Sequence, residues 1–434
     1  MNAYSILAPD FQAEPHWWAA APRPPENGDA VPQRGDVAVV GSGYTGLSAA
    51  LTLARAGRDV VVFEAGPAGY GGSSRNAGFV GKTLKHSFSS LLDRHGDNYA
   101  ISVYRELQDA FDYVVNLIRE QQIDCHFEIC GRYIAANSAA HYEHMARELE
   151  IKHKHLDDDY EMVRRQDQHR ELGSDGFHGG AIVPSHGALH PGLYQLGLLE
   201  RVKSSGAKVI DYTPVVSITN NGSHHTVATP RGSIEVRDVV IATNGYTGSA
   251  TPWHQRRLIP FRGFMVATEE LSEEILGRIF PKGRITNDFN NNLLFMRRAP
   301  DKRCLLLGGL TGTMTDNLAV MAKRLHTKIS AIFPDLSKTR ISRAWNGYCA
   351  GTFDLYPHVG AHDGMHYALG YCFAGVPMGT YLGDKMAKRI LGSPGSGTVF
   401  DSRPFPAKWW YRGGTPWFLP IYMGHMNHLD RHGR

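Results

Sequence analysis

The sequence predicts an α/β protein of mixed α+β content, in which a parallel sheet built from strand–helix–strand units alternates along the chain with a second, antiparallel sheet. Three observations lead there. A β-branched apolar run, Asp36-Val37-Ala38-Val39-Val40, meets a glycine-rich turn and then a segment whose apolar residues recur at helical spacing. Val- and Ile-rich runs return at 59–63, 208–210 and 236–243 with helical stretches between them, the rhythm of parallel strands joined by crossovers. Residues 252–350 mix short strands with one helix near Asp316 to Ile332, the composition of a sheet that covers a site.

Residues 1–34 are Pro-rich and carry Trp17-Trp18, so they are expected to form an extended arm laid on the body. From Asp36 the chain reads strand, then Gly41-Ser42-Gly43-Tyr44-Thr45-Gly46, then a helix through Leu47 to Ala54 that Gly57 closes. A buried strand, 59–63, follows and ends at Glu64. Apolar residues from Asp97 to about Gln121 fall at helical spacing, a strand is expected at 131–136, and His141 to about Lys154 reads as another helix. Pro191 opens a helix from His190 to Ser204 that leads through Gly206 to the strand Lys208-Val209-Ile210. Val236 to Thr243 and Tyr367 to Gly370 are strands, and a helix from about Val376 to Leu391 comes last. No internal repeat is visible. The expected division is an arm (1–34), a nucleotide-binding domain (35–90, 180–250 and 340–395), a cap domain (91–179 and 251–339) and a C-terminal tail packed on the body (396–434).

Composition narrows the function. Hydrophobic residues make up 42% and charged residues 20%, which excludes a disordered or fibrous chain. Lys+Arg 46 against Asp+Glu 42 leaves +4 with no long like-charged run, so a nucleic-acid partner is not expected. Five cysteines without a C-x-x-C pair point away from a disulfide framework or a zinc knuckle. No metal site is expected either: His153 and His155 beside Asp157 to Asp159 read as a solvated face, and Glu269-Glu270 with Glu273-Glu274 as an exposed turn and helix start. The N-terminal 25 residues lack a signal-peptide pattern and no 18-residue apolar run occurs, so the expectation is a cytoplasmic protein without a transmembrane segment.

The turn at 41–46 carries the chemistry. Gly41 permits the tight turn, Gly43 lets backbone approach a pyrophosphate, and Gly46 lets the helix pack close to its strand, while the helix N-terminus directs N–H groups at the anion. Glu64, 18 residues beyond Gly46, is placed to accept hydrogen bonds from ribose hydroxyls and disfavours a 2′-phosphate. This Rossmann-like unit alone leaves NAD and FAD both open. Gly71-Gly72-Ser73-Ser74-Arg75-Asn76-Ala77-Gly78 reads as a second anion-contacting loop.

Seven segments in order, VVGSGYTGLSAAL with VVVFEAG, GGSSRNAGFV, QQIDCHFEICGRYIAA, SHGALHPGLYQLG, VVIATNGYTG, RAWNGYCAGTFDLYPHVG and YALGYCFAGVPMGTYLGDKMAKRILG, resemble the D-amino-acid-oxidase-like FAD-dependent oxidoreductases, most closely the gamma-glutamylputrescine oxidoreductase branch. The resemblance covers nearly the whole chain. It implies an FAD-binding domain of the glutathione-reductase type, with Gly41, Gly43, Tyr44, Thr45 and Gly46 at the pyrophosphate and Glu64 and Ala65 at the ribose. It further implies Ser73, Ser74, Arg75, Asn76, Ala77 and Gly78 toward the isoalloxazine, Val215 toward adenine, and Ala242, Thr243 and Asn244 along the cofactor. The helix start Gly375, Val376, Pro377, Met378, Gly379 and Thr380 would direct its dipole at the flavin pyrimidine.

The implied reaction is oxidation of a C–N bond in an amine or amino acid by hydride transfer to flavin N5, giving an imine that hydrolyses, with dioxygen or another acceptor reoxidising the flavin. A dehydrogenase of D-amino-acid or sarcosine type and a flavoprotein assembly subunit are the alternatives. Arg262, Trp345, Tyr348, Phe353 and Phe373 are the candidate pocket residues. FAD is expected to be non-covalent, because Arg75 stands where histidyl-linked relatives have His and the cysteine near Gly347 is Cys349. Where sarcosine oxidases use a lysine, this chain has Leu306. Where the branch reads GYSGHGV, this chain reads Gly370-Tyr371-Cys372-Phe373-Ala374-Gly375-Val376, so substrate identity does not carry over.

Overall fold

A computed structural model describes residues 6–300, 303–313, 315–401 and 403–431. The segment at 34–63 folds as its pattern requires. Strand Arg34–Val40 leads into helix Tyr44–Arg55, whose Leu47 and Leu53 are fully buried, and strand Val60–Phe63 returns parallel to the first. Each such buried aliphatic side chain contributes about 1.5–3 kcal/mol.

Among the described residues, six further strands extend this unit into one sheet of eight. Its path is Ser217–Asn220, His225–Thr229, Gly232–Ile241, Arg34–Val40, Val60–Phe63 and Lys208–Ile210. Met365–Leu369 lies parallel beside Gly232–Ile241 and pairs on its other edge with His358–His362. The central strands are parallel and buried on both faces, which is why they read as unbroken Val and Ile. Helices Tyr44–Arg55, Pro191–Ser204 and Gly375–Ile390 pack together against this sheet. At Gly383 the last helix comes so close to the first that a Cβ would stand 2.3 Å from the Thr45 carbonyl oxygen.

Nine further strands form the second sheet. Its order is Leu7–Gln12, Ile341–Thr352, Leu258–Thr268, Leu305–Gly309, Phe295–Arg298, Ile285–Asp288, Arg132–Ala135, Gly180–Val183 and Glu161–Val163. It is antiparallel except at two places, where Leu7–Gln12 runs parallel to Ile341–Thr352 and Ile285–Asp288 parallel to Arg132–Ala135. Helix Leu318–Ile332 covers its outer face. Gly180–Val183 and Ile341–Thr352, which the sequence places with the nucleotide-binding segments, hydrogen-bond in this sheet because their pairing partners, Arg132–Ala135 and Leu258–Thr268, belong to it.

The arm is more than extended chain. Trp17 is fully buried and its indole N–H donates to the Asn76 carbonyl at 2.8 Å, while the Trp18 indole N–H donates to the Ser74 hydroxyl at 3.0 Å. These two indoles hold the 71–78 loop from behind. In the tail, Leu419–Arg431 is helical, and Tyr411 and Phe418 pack on Phe353, whereas Trp409 and Trp417 point outward. No helix among the described residues is long and apolar enough to cross a membrane.

Candidate active site

Between the two sheets lies a cavity of about 1120 Å³. One end is the glycine turn. Gly41 has φ +106, and a Cβ there would stand 3.0 Å from the Ala242 carbonyl oxygen. A Cβ at Gly43 would meet the Ser73 hydroxyl at 2.9 Å, and one at Gly46 would collide with the Gly41 carbonyl at 1.9 Å. The Ser73 hydroxyl accepts from the Tyr44 N–H at 3.0 Å, which ties the second loop to the helix N-terminus. Glu64 lines the same end, accepting from the Ser42 N–H at 2.9 Å, the Ser42 hydroxyl at 2.7 Å and the Ala65 N–H at 2.9 Å. A bare backbone cradle beside an oriented carboxylate fits a dinucleotide, and the cavity continues past it far enough to hold a larger cofactor.

Most of the residues assigned to the cofactor meet at this cavity. Gly41, Gly43, Tyr44, Thr45, Glu64 and Ala65 line it, as do Ser73, Arg75, Asn76 and Ala77, Val215, Ala242 to Asn244, and Gly375 to Pro377. Others stand behind the wall. Gly46 and Gly379 serve helix contacts, and Met378 is buried in the core. Thr380 donates to the Val376 carbonyl at 2.7 Å. Ser74 donates to the Gly69 carbonyl at 2.6 Å, and Gly78 turns at φ +73 against Leu189. Arg75 lines the cavity with its stem, but its guanidinium is 4.4 Å from the Trp18 ring centre and 4.2 Å from that of Tyr70.

The pocket candidates divide. Tyr348 and Phe373 line the cavity. Arg262 does not: it ion-pairs with Asp316, and its Nε donates to the Tyr348 hydroxyl at 2.9 Å, its directly opposed cross-strand neighbour. Trp345 is 1% exposed, covered by Trp17, with its indole N–H on the Arg75 carbonyl at 2.8 Å. Phe353 packs under the tail, and Leu306 is buried in the sheet beside Trp17 and Trp345. Cys349 lines the cavity as a neutral thiol, its pKa pushed up to about 12 by burial.

Sequence reasoning missed the basic side of the chamber. Lys82, Lys85, Arg132 and Lys152 line it together with His186 and Asp288. Burial lowers the Arg132 guanidinium to about 10 and raises the Asp288 carboxyl to about 6. The available signal was an arginine set inside the apolar strand Arg132-Tyr133-Ile134-Ala135.

Fold and site together define a flavin-dependent oxidoreductase. The model of the FAD dependent oxidoreductase (DAO) family matches residues 36–389, and the chain belongs to that family, with FAD as its cofactor. It is 30% identical over 362 residues to the gamma-glutamylputrescine oxidoreductase of Escherichia coli K12, covering 82% of this chain and 83% of that one. Among solved structures, glycine oxidase from Geobacillus kaustophilus superposes with a TM-score of 0.71 at 22% identity, covering 87% of this chain and 99% of the other. L-proline dehydrogenase from P. horikoshii gives 0.70 at 18%, with 91% and 99% covered.

Proposed function

We propose that the chain oxidises the C–N bond of an amine or amino acid, using a dissociable FAD, to an imine that water hydrolyses to an aldehyde or keto acid. The observation that carries this reading is the continuity of the cavity: the glycine cradle opens without a partition into a chamber walled by Tyr348 and Phe373. Bound FAD supplies the acceptor for a hydride leaving the carbon next to the amine nitrogen. The chain's part is to bind, orient and exclude water. Gly41 and Gly43 admit the pyrophosphate, Glu64 holds a ribose, and the N-terminus of Gly375–Ile390 directs its dipole at the ring. Relatives named gamma-glutamylputrescine oxidoreductase and glycine oxidase support the substrate class.

Anaerobic mixing of the yellow holoenzyme with a panel of primary, secondary and α-amino acids tests the reading. The flavin band bleaches with at least one of them. A flavin that stays oxidised throughout the panel, or extraction of NAD in place of flavin, overturns it.

A further inference from the structure

The loop at 71–77 is held on the side away from the cavity by donors drawn from three distant parts of the chain. Trp17 and Trp18 come from the arm, Arg297 from strand Phe295–Arg298 and Trp345 from strand Ile341–Thr352. Their targets are consecutive residues. The Trp18 indole N–H donates to the Ser74 hydroxyl at 3.0 Å, Trp345 to the Arg75 carbonyl at 2.8 Å, Trp17 to the Asn76 carbonyl at 2.8 Å, and an Arg297 guanidinium N–H to the Ala77 carbonyl at 3.2 Å. Arg75, Asn76 and Ala77 line the cavity, and none of the four donors does. Trp17 and Trp345 are buried against each other edge to face, ring centres 6.4 Å apart.

A buried indole needs one acceptor, and any carbonyl within reach would satisfy it. Three indoles on three successive residues of one cavity-lining loop do more than that. The Asn76 amide donates to the Gly72 and Ser73 carbonyls at 3.1 and 3.0 Å, so the carbonyls of 72, 73, 75, 76 and 77 all accept from within the protein. The Ala77 N–H, by contrast, makes no hydrogen bond among the described residues. A loop whose carbonyl dipoles are drawn to its far side presents little negative potential to a ring lying against it, and so favours negative charge developing on that ring. We propose that Trp17, Trp345 and Arg297 are positioning residues that keep the 75–77 carbonyls turned out of the cavity, strengthening FAD binding and making its ring a better electron acceptor. Trp18 secures the same loop through a hydroxyl and through its ring, 4.4 Å from the Arg75 guanidinium, without holding a carbonyl. The inference rests on FAD lying in this cavity with its ring at the loop, and not on the identity of the amine.

Each indole is replaced in turn, and the holoenzyme is read by its flavin midpoint potential and its FAD dissociation constant. Trp17→Phe and Trp345→Phe keep an aromatic ring and delete the N–H, which leaves a carbonyl without its donor and free to turn toward the cavity. Their potentials are expected to fall by about 30 mV, a tenfold loss in affinity for reduced over oxidised flavin in a two-electron couple. FAD binding weakens roughly 10-fold as well. Trp18→Phe frees no carbonyl, so it weakens FAD binding and leaves the potential where it was. Should the Phe variants not fold, benzothienylalanine introduced at 17 or 345 exchanges the indole N–H for sulfur at nearly the same shape. A merely structural role would lower the melting temperature of the apoprotein without moving the potential. Unchanged potentials at both 17 and 345, or an equal shift in all three variants, overturns the proposal. Glu64→Ala checks the placement beneath it: unchanged FAD affinity there means the cofactor lies elsewhere and the clamp falls with it, whereas weaker binding with unmoved potentials at 17 and 345 overturns the clamp alone.

Discussion

Position 373 concentrates the relation between sequence and site. Phe373 has φ +76 and follows Cys372 at φ +44, so two consecutive non-glycine residues occupy the left-handed region at the cavity wall. That conformation costs an L-residue roughly 1–2 kcal/mol and persists where the surroundings hold it. The backbone therefore explains why the related branch carries glycine at this place, while the sequence alone showed only that a bulky ring had replaced it. The ring is 40% exposed and tilted on Phe261 at 5.0 Å, so its removal forfeits modest packing. Phe373→Gly relieves the strain, whereas Phe373→Ala loses the same ring and keeps the Cβ. Equilibrium urea unfolding should place the Gly variant about 1 kcal/mol above the Ala variant; equal stabilities would mean the backbone relaxes freely at 373. Other residue assignments failed for geometric reasons. Trp345 shares a strand face with Gly347 and Cys349, but an arm distant in sequence covers it. Arg262 faces Tyr348 across the strand pair, where a phenol and Asp316 satisfy it.

Elements were legible where a local signal set their ends. Helix Pro191–Ser204 begins as its proline requires, and Tyr44–Arg55, Asp97–Glu120 and Gly375–Ile390 lie within a few residues of their expected bounds. Strand Leu7–Gln12 and helix Leu419–Arg431 were not foreseen, the first because its pairing partner is over 300 residues away, the second because Pro420 and Gly424 interrupt its pattern. The Pro191–Ser204 helix also carries a pH dependence. Its N-cap is His190, whose Nδ1 accepts from the Leu193 N–H at 3.1 Å, so the cap works with a neutral ring. Burial, with His16 and His126 nearby, lowers its pKa to about 3. In the unfolded chain the ring titrates near 6.5, so the unfolded state binds the extra proton first; stability is full above that pH and is lost as pH falls toward 3. The linkage amounts to about 2 kcal/mol at pH 5. His190→Asn keeps a cap acceptor and removes the titration. Urea unfolding at pH 8 and pH 5 should show the variant losing about 2 kcal/mol less than the parent between the two, and equal losses would exclude His190 as the source.

At the scale of the whole molecule, the cavity is the place where distant parts of the chain meet. Its wall draws on the glycine turn, the 71–77 loop, Arg132 and Lys152 from the cap side, Ala242 to Asn244, and the start of Gly375–Ile390, so both sheets contribute. The nucleotide end was readable because a single βαβ segment encodes it; the basic side of the chamber was not, because Lys85 and Arg132, far apart in sequence, come together only when the second sheet closes over the first. A ligand that fills this space binds the folded chain and not the unfolded one, and it stabilises by RT ln(1 + [L]/Kd), about 2.7 kcal/mol at 100 times Kd. For a chain of 434 residues unfolding in one step, that corresponds to a rise in Tm of roughly 3 °C. FAD-depleted protein should therefore melt lower, and added FAD should raise the Tm by that amount at 100 times Kd and by about half as much near 10 times Kd. NAD at the same concentrations should raise it less, since its nicotinamide is smaller than the isoalloxazine that fills the rest of the cavity. The decisive comparison is Glu64→Ala, which leaves the chamber intact but removes the carboxylate at the cradle: its melting curve should need more FAD to reach the same Tm. A Tm that ignores FAD in both proteins would mean that FAD does not bind the folded chain in preference to the unfolded one, which overturns the cavity as its site.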